Sequence, residues 1–404
     1  MRVLLSAYAC EPNRGSEQEV GWQRAMHMLA FADEVWVLTR ANNREVIEAD
    51  PASQTSGLHF IYYDLPGWAQ SLKKRSWLLY LYVIFWQWGA YAVAAEHHRK
   101  EKFDWVYHVT FVSMQFGSRM GQLGIPFMIG PIAGGERAPF RLRRSMPWRG
   151  WVSELLRDIG ILLQRYSPLA RPAFAAAERI FVATPESLRL VPSKWRYKTG
   201  IHLAVAIDPL PTSHGRQHRG SSAASFVFVG RLLHWKGVHF AIRALAQVKQ
   251  SVPDATLTVF GIGPEEARLR GLASQLGIAN AVNFAGHAPR KQLIESFQNH
   301  AALVFPSLHD SGGLAVLEAL SQGLPVVCLD LGGPGSIVNK SCGMVVRTTG
   351  ADEAQIVTSI ADGMKAIVTM PTAARDNLAA GAVSRSNELS WVGLTERVVG
   401  FQPD

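Results

Sequence analysis

One pattern, run twice, constrains this chain more than any other feature. Short apolar runs at Val3-Leu4-Leu5, Glu34–Leu38, Leu58–Tyr63, Trp105–His108, Phe127–Ile129 and Ile180–Val182 are mostly separated by longer amphipathic stretches. A strand buried on both faces reads as a continuous apolar run, and parallel neighbours need a long crossover, usually a helix. Over 209–222 the composition turns to Pro, Gly, Ser and His, which marks a linker. The pattern then restarts at Phe226–Val229, Thr256–Phe260, Val282–Phe284, Ala302–Phe305 and Val326–Cys328, with helices expected over Val238–Gln250 and Leu314–Gln322. The expectation is an α/β fold of two Rossmann-like domains, residues 1–207 and 208–384. Residues 385–404 are expected to form a helix that crosses back onto the first. Ligands of such sheets bind beyond the carboxyl ends of the strands, which places the expected site in the cleft between domains.

Of 404 residues, 48% are hydrophobic and 18% charged, which excludes a disordered or fibrous chain. Cys10, Cys328 and Cys342 have no CxxC spacing, so neither a disulfide framework nor a zinc site is expected, and a reducing compartment fits. The opening MRVLLSAYAC has one basic residue and a short apolar run. It reads as a first buried strand rather than a secretory leader, and the protein is expected in the cytoplasm. Ser76–Ala95 is twenty residues without a charge, long enough to span a bilayer. Its Tyr, Trp, Gln and Ala content and the Glu96-His97-His98 that follows favour a core helix, or one partly facing lipid.

The charge is uneven. Lys and Arg exceed Asp and Glu by 25 to 17 over residues 1–205 and by 16 to 15 over 206–404. Residues 137–171 hold eight Arg against Glu154 and Asp158, interleaved with Trp148, Trp151 and several Leu and Ile. An Arg-rich amphipathic segment bearing Trp reads as membrane-surface binding, and a solvated helix with a buried apolar face is the plainer alternative.

Three motifs of the second half carry chemistry. Gly230-Arg231-Leu232 ends a strand and Lys236-Gly237 precedes a helix, an Arg fork and a mobile Lys suited to a diphosphate. Gly261-Ile262-Gly263-Pro264 is a tight turn after a strand, without the rest of a dinucleotide fingerprint. Asp310-Ser311-Gly312-Gly313-Leu314 leads into a helix bearing Glu318. Free amides at a helix start bind anions, and carboxylates bind sugar hydroxyls. The plainer reading makes Asp310 a helix-start group and Glu318 a solvated one.

Taken together, GRL with KG, then GxGP, then an acid eight residues before the Glu of LEAL resemble the retaining glycosyltransferases of family 4, of the polysaccharide-assembly type. Leu324-Pro325-Val326-Val327 and Gly332-Gly333 continue the pattern. The resemblance implies the GT-B fold and a transfer of a hexose-type sugar from a UDP- or GDP-sugar. It implies that Arg231 and Lys236 hold the diphosphate and Glu318 the ribose. Asp310 and the Ser311, Gly312, Gly313 and Leu314 segment would hold the sugar and phosphate, and Gly230, Gly261 and Gly263 line the donor. In the first half, Asn13-Arg14-Gly15-Ser16-Glu17 resembles the family's glycine loop, with Gly15 and Ser16 toward the donor and Glu17 toward the acceptor. Phe103–His108 resembles the strand whose terminal His, here His108, reaches the donor sugar. Gly134, Gly135 and Glu136 resemble an acceptor-side loop. The chain departs from the family at Asp310, usually Glu, and at Gly312, usually aromatic.

An acceptor carried on a polyprenyl diphosphate lies at the membrane, which favours the membrane reading of Lys73, Lys74, Arg75, Arg141, Arg143, Arg144, Trp148 and Trp151. The protein is then expected peripherally on the inner face of the cytoplasmic membrane, in surface or exopolysaccharide synthesis. A soluble small-molecule acceptor is the alternative. The sequence has no DxD, and no metal or other cofactor is expected. A basic nucleic-acid-binding protein also fits the charge, but it has no motif here and leaves the acidic site residues unexplained, so no nucleic acid is expected. A nicotinamide oxidoreductase lacks its GxGxxG.

Overall fold

The computed structural model describes residues 1–12, 14, 16–70, 76–115, 117–164, 167–208 and 224–400. The linker at 209–222 lies outside them. The chain divides into two compact units. The first comprises residues 1–135, 160–205 and 391–404, and the second 136–159 and 206–390.

The first unit is built on seven strands: β1 (Arg2–Ala7), β2 (Glu34–Arg40), β3 (Leu58–Tyr63), β4 (Trp105–Thr110), β5 (Phe127–Ile132), β6 (Arg179–Val182) and β7 (Thr199–Ile201). Their order is β3-β2-β1-β4-β5-β6-β7, and all pairs are parallel. Every residue of β4 is buried, as expected of a central strand covered on both faces. The helix Ser76–Glu101 covers one face, seating Tyr82, Val83, Trp86, Ala90 and Ala94 against Leu4, Leu38 and Val106. Its other side exposes Leu81, Phe85 and Trp88. Among the described residues no helix is long and apolar enough to cross a membrane. Trp22, Ala25 and Met28 of the helix Ser16–Met28 cover the other face together with Val398.

The second unit carries β8 (Ser225–Val229), β9 (Thr256–Phe260), β10 (Val282–Gly286), β11 (Ala302–Phe305), β12 (Val326–Leu329) and β13 (Gly343–Val346). The order is β10-β9-β8-β11-β12-β13, again parallel throughout. The helix Val238–Val248 follows β8 and buries Val238, Phe240, Ile242, Leu245 and Val248.

Two segments group differently from their place in the sequence. Residues 136–159 belong with the second unit, not with the remainder of 1–207, and the division falls inside the helix Trp148–Gln164. At the other end, the helix Thr372–Glu388 stays in the second unit and only the helix Trp391–Gly400 groups with the first. There the Arg24 guanidinium lies over the Trp391 ring at 5.3 Å. Arg179 donates to the carbonyls of Val398 and Val399 at 3.1 and 2.9 Å.

Candidate functional site

In the second sheet the strand order reverses between β8 and β11, and ligands of such sheets bind beyond the carboxyl ends of the strands at that point. After β8 the chain passes Gly230 and Arg231 to a turn at His234–Lys236 and then to Gly237, whose φ of 71° is left-handed. A Cβ at Gly237 would stand 1.9 Å from the Pro306 carbonyl oxygen, so only glycine lets the two loops meet. The Lys236 ammonium pairs directly with the Asp310 carboxylate. The other oxygen of Asp310 accepts the N–H groups of Gly312 and Gly313 at 3.1 and 3.0 Å. Burial alone would raise the Asp310 pKa. The Lys236 charge and the hydrogen bonds from Lys236, Gly313 and Gly312 outweigh it and hold the carboxyl below the usual range.

Asp310 thus joins Lys236 to the two amides of the loop just ahead of the helix, with no bond to the helix's own first turn. Leu314 opens the helix Leu314–Ser321, and Ser311 is half-buried beside the two glycines. Glu318, one turn on, is buried and accepts from Arg290 Nε at 2.6 Å. Burial pushes its pKa up, and Arg290 offsets part of that push. Arg231 is exposed; its carbonyl accepts from the Leu233 N–H at 2.9 Å, and its guanidinium makes no hydrogen bond or ion pair among the described residues. Gly230 and Gly261 serve packing: a Cβ at Gly261, whose φ is 141°, would meet the Gly230 carbonyl oxygen at 1.9 Å. A Cβ at Gly263 would stand 2.4 Å from the carbonyl oxygen of Leu232, whose N–H donates to the Ile262 carbonyl at 3.0 Å.

The first unit has its own reversal between β1 and β4. Glu17 accepts the N–H of Phe111 there at 2.7 Å, just past the end of β4. Phe111 has φ of 54°, a left-handed conformation that costs a bulky residue about 1–3 kcal/mol. Gly15 lies outside the described residues, as does the Ser16 side chain. His108 was expected at a strand terminus. It sits two residues inside β4 instead, fully buried, with Nδ1 3.0 Å from Ser6 Oγ and Nε2 without a partner. Burial lowers its pKa to about 4, so the ring is neutral at physiological pH. Gly135 donates to Ser187 Oγ at 3.1 Å, and Gly134 just before it has φ of 104°. Glu136 is buried, its carbonyl accepting from Arg157 at 3.1 Å.

The membrane-surface set is only partly where the sequence placed it. Lys73, Lys74 and Arg75 lie outside the described residues. Arg141, Arg144 and Trp148 are exposed, and Trp151 is half-buried with its ring 5.7 Å from Phe140. Arg143 is a correction: it is buried, bonded to the Ala138 carbonyl at 2.6 and 2.9 Å and to Asp158 at 2.8 Å. A guanidinium so enclosed holds its own chain segment and reaches no lipid.

Sequence reasoning missed Arg290 and a buried node around Glu154. Glu154 Oε1 stands 3.2 Å from His234 Nε2 and 3.0 Å from His309 Nε2. Both histidines adjoin motif residues, but the spacing of Glu154 gave no sign of them. Among the described residues no three His, Cys, Asp or Glu side chains gather to hold a metal ion.

Residues 214–375 match the family model described as glycosyl transferases group 1. A D-inositol 3-phosphate glycosyltransferase of Acidothermus cellulolyticus is 30% identical over 237 residues, 56% of this chain and 50% of that protein. The chain spans about half the length, or less, of the curated relatives it matches. The structure of the lipopolysaccharide outer core galactosyltransferase WaaB is similar with a TM-score of 0.62 at 12% identity over 99% of both chains. That of Alr3699/HepE of Anabaena, in complex with UDP, is similar with a TM-score of 0.58 at 16% identity over 98% of both. These likenesses establish the fold, two parallel-sheet α/β domains of the GT-B type.

Proposed function

We propose that this chain is a retaining glycosyltransferase that moves a hexose-type sugar from a UDP- or GDP-sugar to a lipid-linked or glycan acceptor. One observation carries the reading. At the β8/β11 reversal, the Lys236 cation and the Gly312 and Gly313 amides converge on a single carboxylate, Asp310. Three donors aimed at one point, on a glycine loop that opens a helix, form an anion site. The group 1 match covers this loop and the one after β8, and UDP bound to HepE supports a nucleotide donor.

The chemistry follows from the leaving group. The bond from the anomeric carbon to the β-phosphate oxygen breaks, and negative charge grows on that oxygen. Lys236, Arg231 and the loop amides oppose it, and removing one such donor typically costs about 10²–10³ in kcat. The acceptor oxygen bonds to the anomeric carbon from the face the phosphate leaves, and its proton passes to the departing phosphate. Glu318 holds the ribose hydroxyls once Arg290 releases it. With no DxD in the sequence, the cations of the protein take the place of a bound metal ion.

The acceptor side is read from the helix Trp148–Gln164, which is inside out. It turns Gly150 and Glu154 toward the second unit and exposes Trp148, Val152, Leu155, Leu156, Ile159, Leu162 and Leu163. Trp148 is 72% exposed and Leu163 66%. With Arg141, Arg144 and Arg149 exposed close by in sequence, this face suits an anionic membrane surface, where a polyprenyl-diphosphate acceptor would lie. On this reading the protein works peripherally, on the inner face of the cytoplasmic membrane.

Thermal-shift screening against UDP-, GDP- and ADP-sugars tests the reading. A donor at a hundred times its Kd adds about 2.7 kcal/mol of apparent stability. One nucleotide should raise the unfolding midpoint by several degrees. No shift with any of the three, together with no release of nucleoside diphosphate, would sink it.

A further inference from the structure

Glu154 lies at the meeting of three segments of the second unit. Its side chain is 2% exposed. A carboxylate oxygen can only accept, so the Nε2 atoms of His234 and His309, both within 3.2 Å of Oε1, each carry their proton toward it. His234 begins the turn that delivers Lys236, two residues on, and His309 directly precedes Asp310. The two loops also touch each other. Leu308 donates to the Trp235 carbonyl at 2.8 Å, and the Trp235 ring stacks on His309 at 5.1 Å and 17°. Four residues before Glu154, on the same helix face, a Cβ at Gly150 would stand 2.8 Å from the His234 ring. The helix is therefore seated on His234 by glycine contact and bonded to both loops through one oxygen.

We propose that Glu154 is a positioning residue for the Lys236–Asp310 pair, fixing the spacing of the two loops through its bonds to His234 and His309. This rests on the reading of that pair as donor-binding. Glu154 reaches no ligand itself. It acts because an oxygen shared between two N–H donors sets the distance between their loops, and the ion pair spans that distance. Removing it would leave two buried N–H groups without an acceptor, and the loops would separate to find water.

The test pairs Glu154→Ala with Glu154→Gln, whose amide oxygen still accepts from both rings. Ile161→Ala serves as the control, since it deletes a buried apolar side chain of the same helix. Hydrogen exchange in the free protein reads the amides of Lys236, Gly312 and Gly313. Titration calorimetry with UDP, GDP and ADP reads the site. Glu154→Ala should speed exchange at those amides and weaken nucleotide binding by about tenfold each. Glu154→Gln should stay within about twofold of wild type. Ile161→Ala should lower the unfolding midpoint and leave both readouts alone. If the alanine variant does not fold, His309→Gln carries the same expectation for Gly312 and Gly313. Unchanged exchange in Glu154→Ala, a Gln variant as damaged as Ala, or equal effects from Ile161→Ala would overturn the proposal. A wild type that binds none of the three nucleotides would instead defeat the donor reading, and the exchange data would still judge Glu154.

Discussion

Asp310 holds to itself the groups that a diphosphate would use. Lys236 and the amides of Gly312 and Gly313 all end on its two oxygens. A bound donor must therefore share them or displace the carboxylate. Two variants separate these roles. Lys236→Ala removes a phosphate donor, so kcat/KM should fall by about 10²–10³ while the fold persists, checked by single-turnover assay and circular dichroism. Asp310→Ala frees the donors, so nucleoside diphosphate should bind at least as tightly by calorimetry even as sugar transfer falls. Tighter binding with lost turnover would be hard to obtain from a merely structural Asp310. Glu154 gives a pH signature. Burial pushes its pKa up, but the bonds from His234 and His309 win and hold it at about 2, against an ordinary 4.5. A carboxyl with a depressed folded pKa stabilises the fold fully above its unfolded value and loses that contribution as pH falls toward the folded one. The stability gap between wild type and Glu154→Gln should be constant above about pH 4.5 and close between 4.5 and 2. A gap that stays flat through that window in denaturant titrations would show an unperturbed carboxyl.

At the scale of elements, the helix Trp148–Gln164 shows what periodicity can and cannot say. Its apolar stripe was plain in the sequence, but a stripe does not state whether it faces a core or the outside. The structure turns it outward because Gly150 and Glu154, on the opposite side, are the groups that fit His234 and His309. The apolar strand runs were legible for the same reason that β4 and β8 are wholly buried: a central parallel strand has no polar face to hide the signal. The edge strands β7 (TGI) and β13 (GMVV) were not, since they are short and partly exposed. Lys236 and Asp310, singled out in the sequence, pair in the structure because each lies on a loop that directly follows a central strand; Arg231, on the same loop as Lys236, takes no part in that pair. Arg290 could not, because only folding brings it to Glu318. The outward stripe makes a prediction. Leu155→Ser with Leu156→Ser and Leu163→Ser should cut flotation with anionic liposomes and leave the unfolding midpoint almost unchanged. Arg144→Glu with Arg149→Glu should weaken flotation further at low salt, since each basic residue near such a surface contributes about 1 kcal/mol. Arg143→Glu would not test this, because it would break a buried pair with Asp158.

For the whole molecule, the order of the chain and the division into units do not coincide, and this alters the meaning of the charge. By halves of the sequence the excess of Lys and Arg lies almost entirely before residue 206. By units it is 20 against 16 in the first and 21 against 16 in the second, because six Arg of 136–159 travel with the second sheet. Basicity is thus not a property of one unit, and any membrane attraction has to come from local faces such as the helix Trp148–Gln164. The same division means that neither unit is one continuous stretch. The first is completed by its last piece, where Trp391, Leu394 and Val398 are buried and Arg24, itself fully buried, lies over Trp391. Without the ring, Arg24 loses its cation–π partner and a cavity opens beside the Ser16–Met28 helix. A buried Trp→Ala substitution costs about 3–5 kcal/mol, a large share of a typical domain's stability. Trp391→Ala should therefore lower the unfolding midpoint of the full chain by many degrees, and deletion of 391–404 should do at least as much. Intrinsic fluorescence and calorimetry would follow the change. An unaltered midpoint in both variants would mean that the first unit is complete without its C-terminal helix.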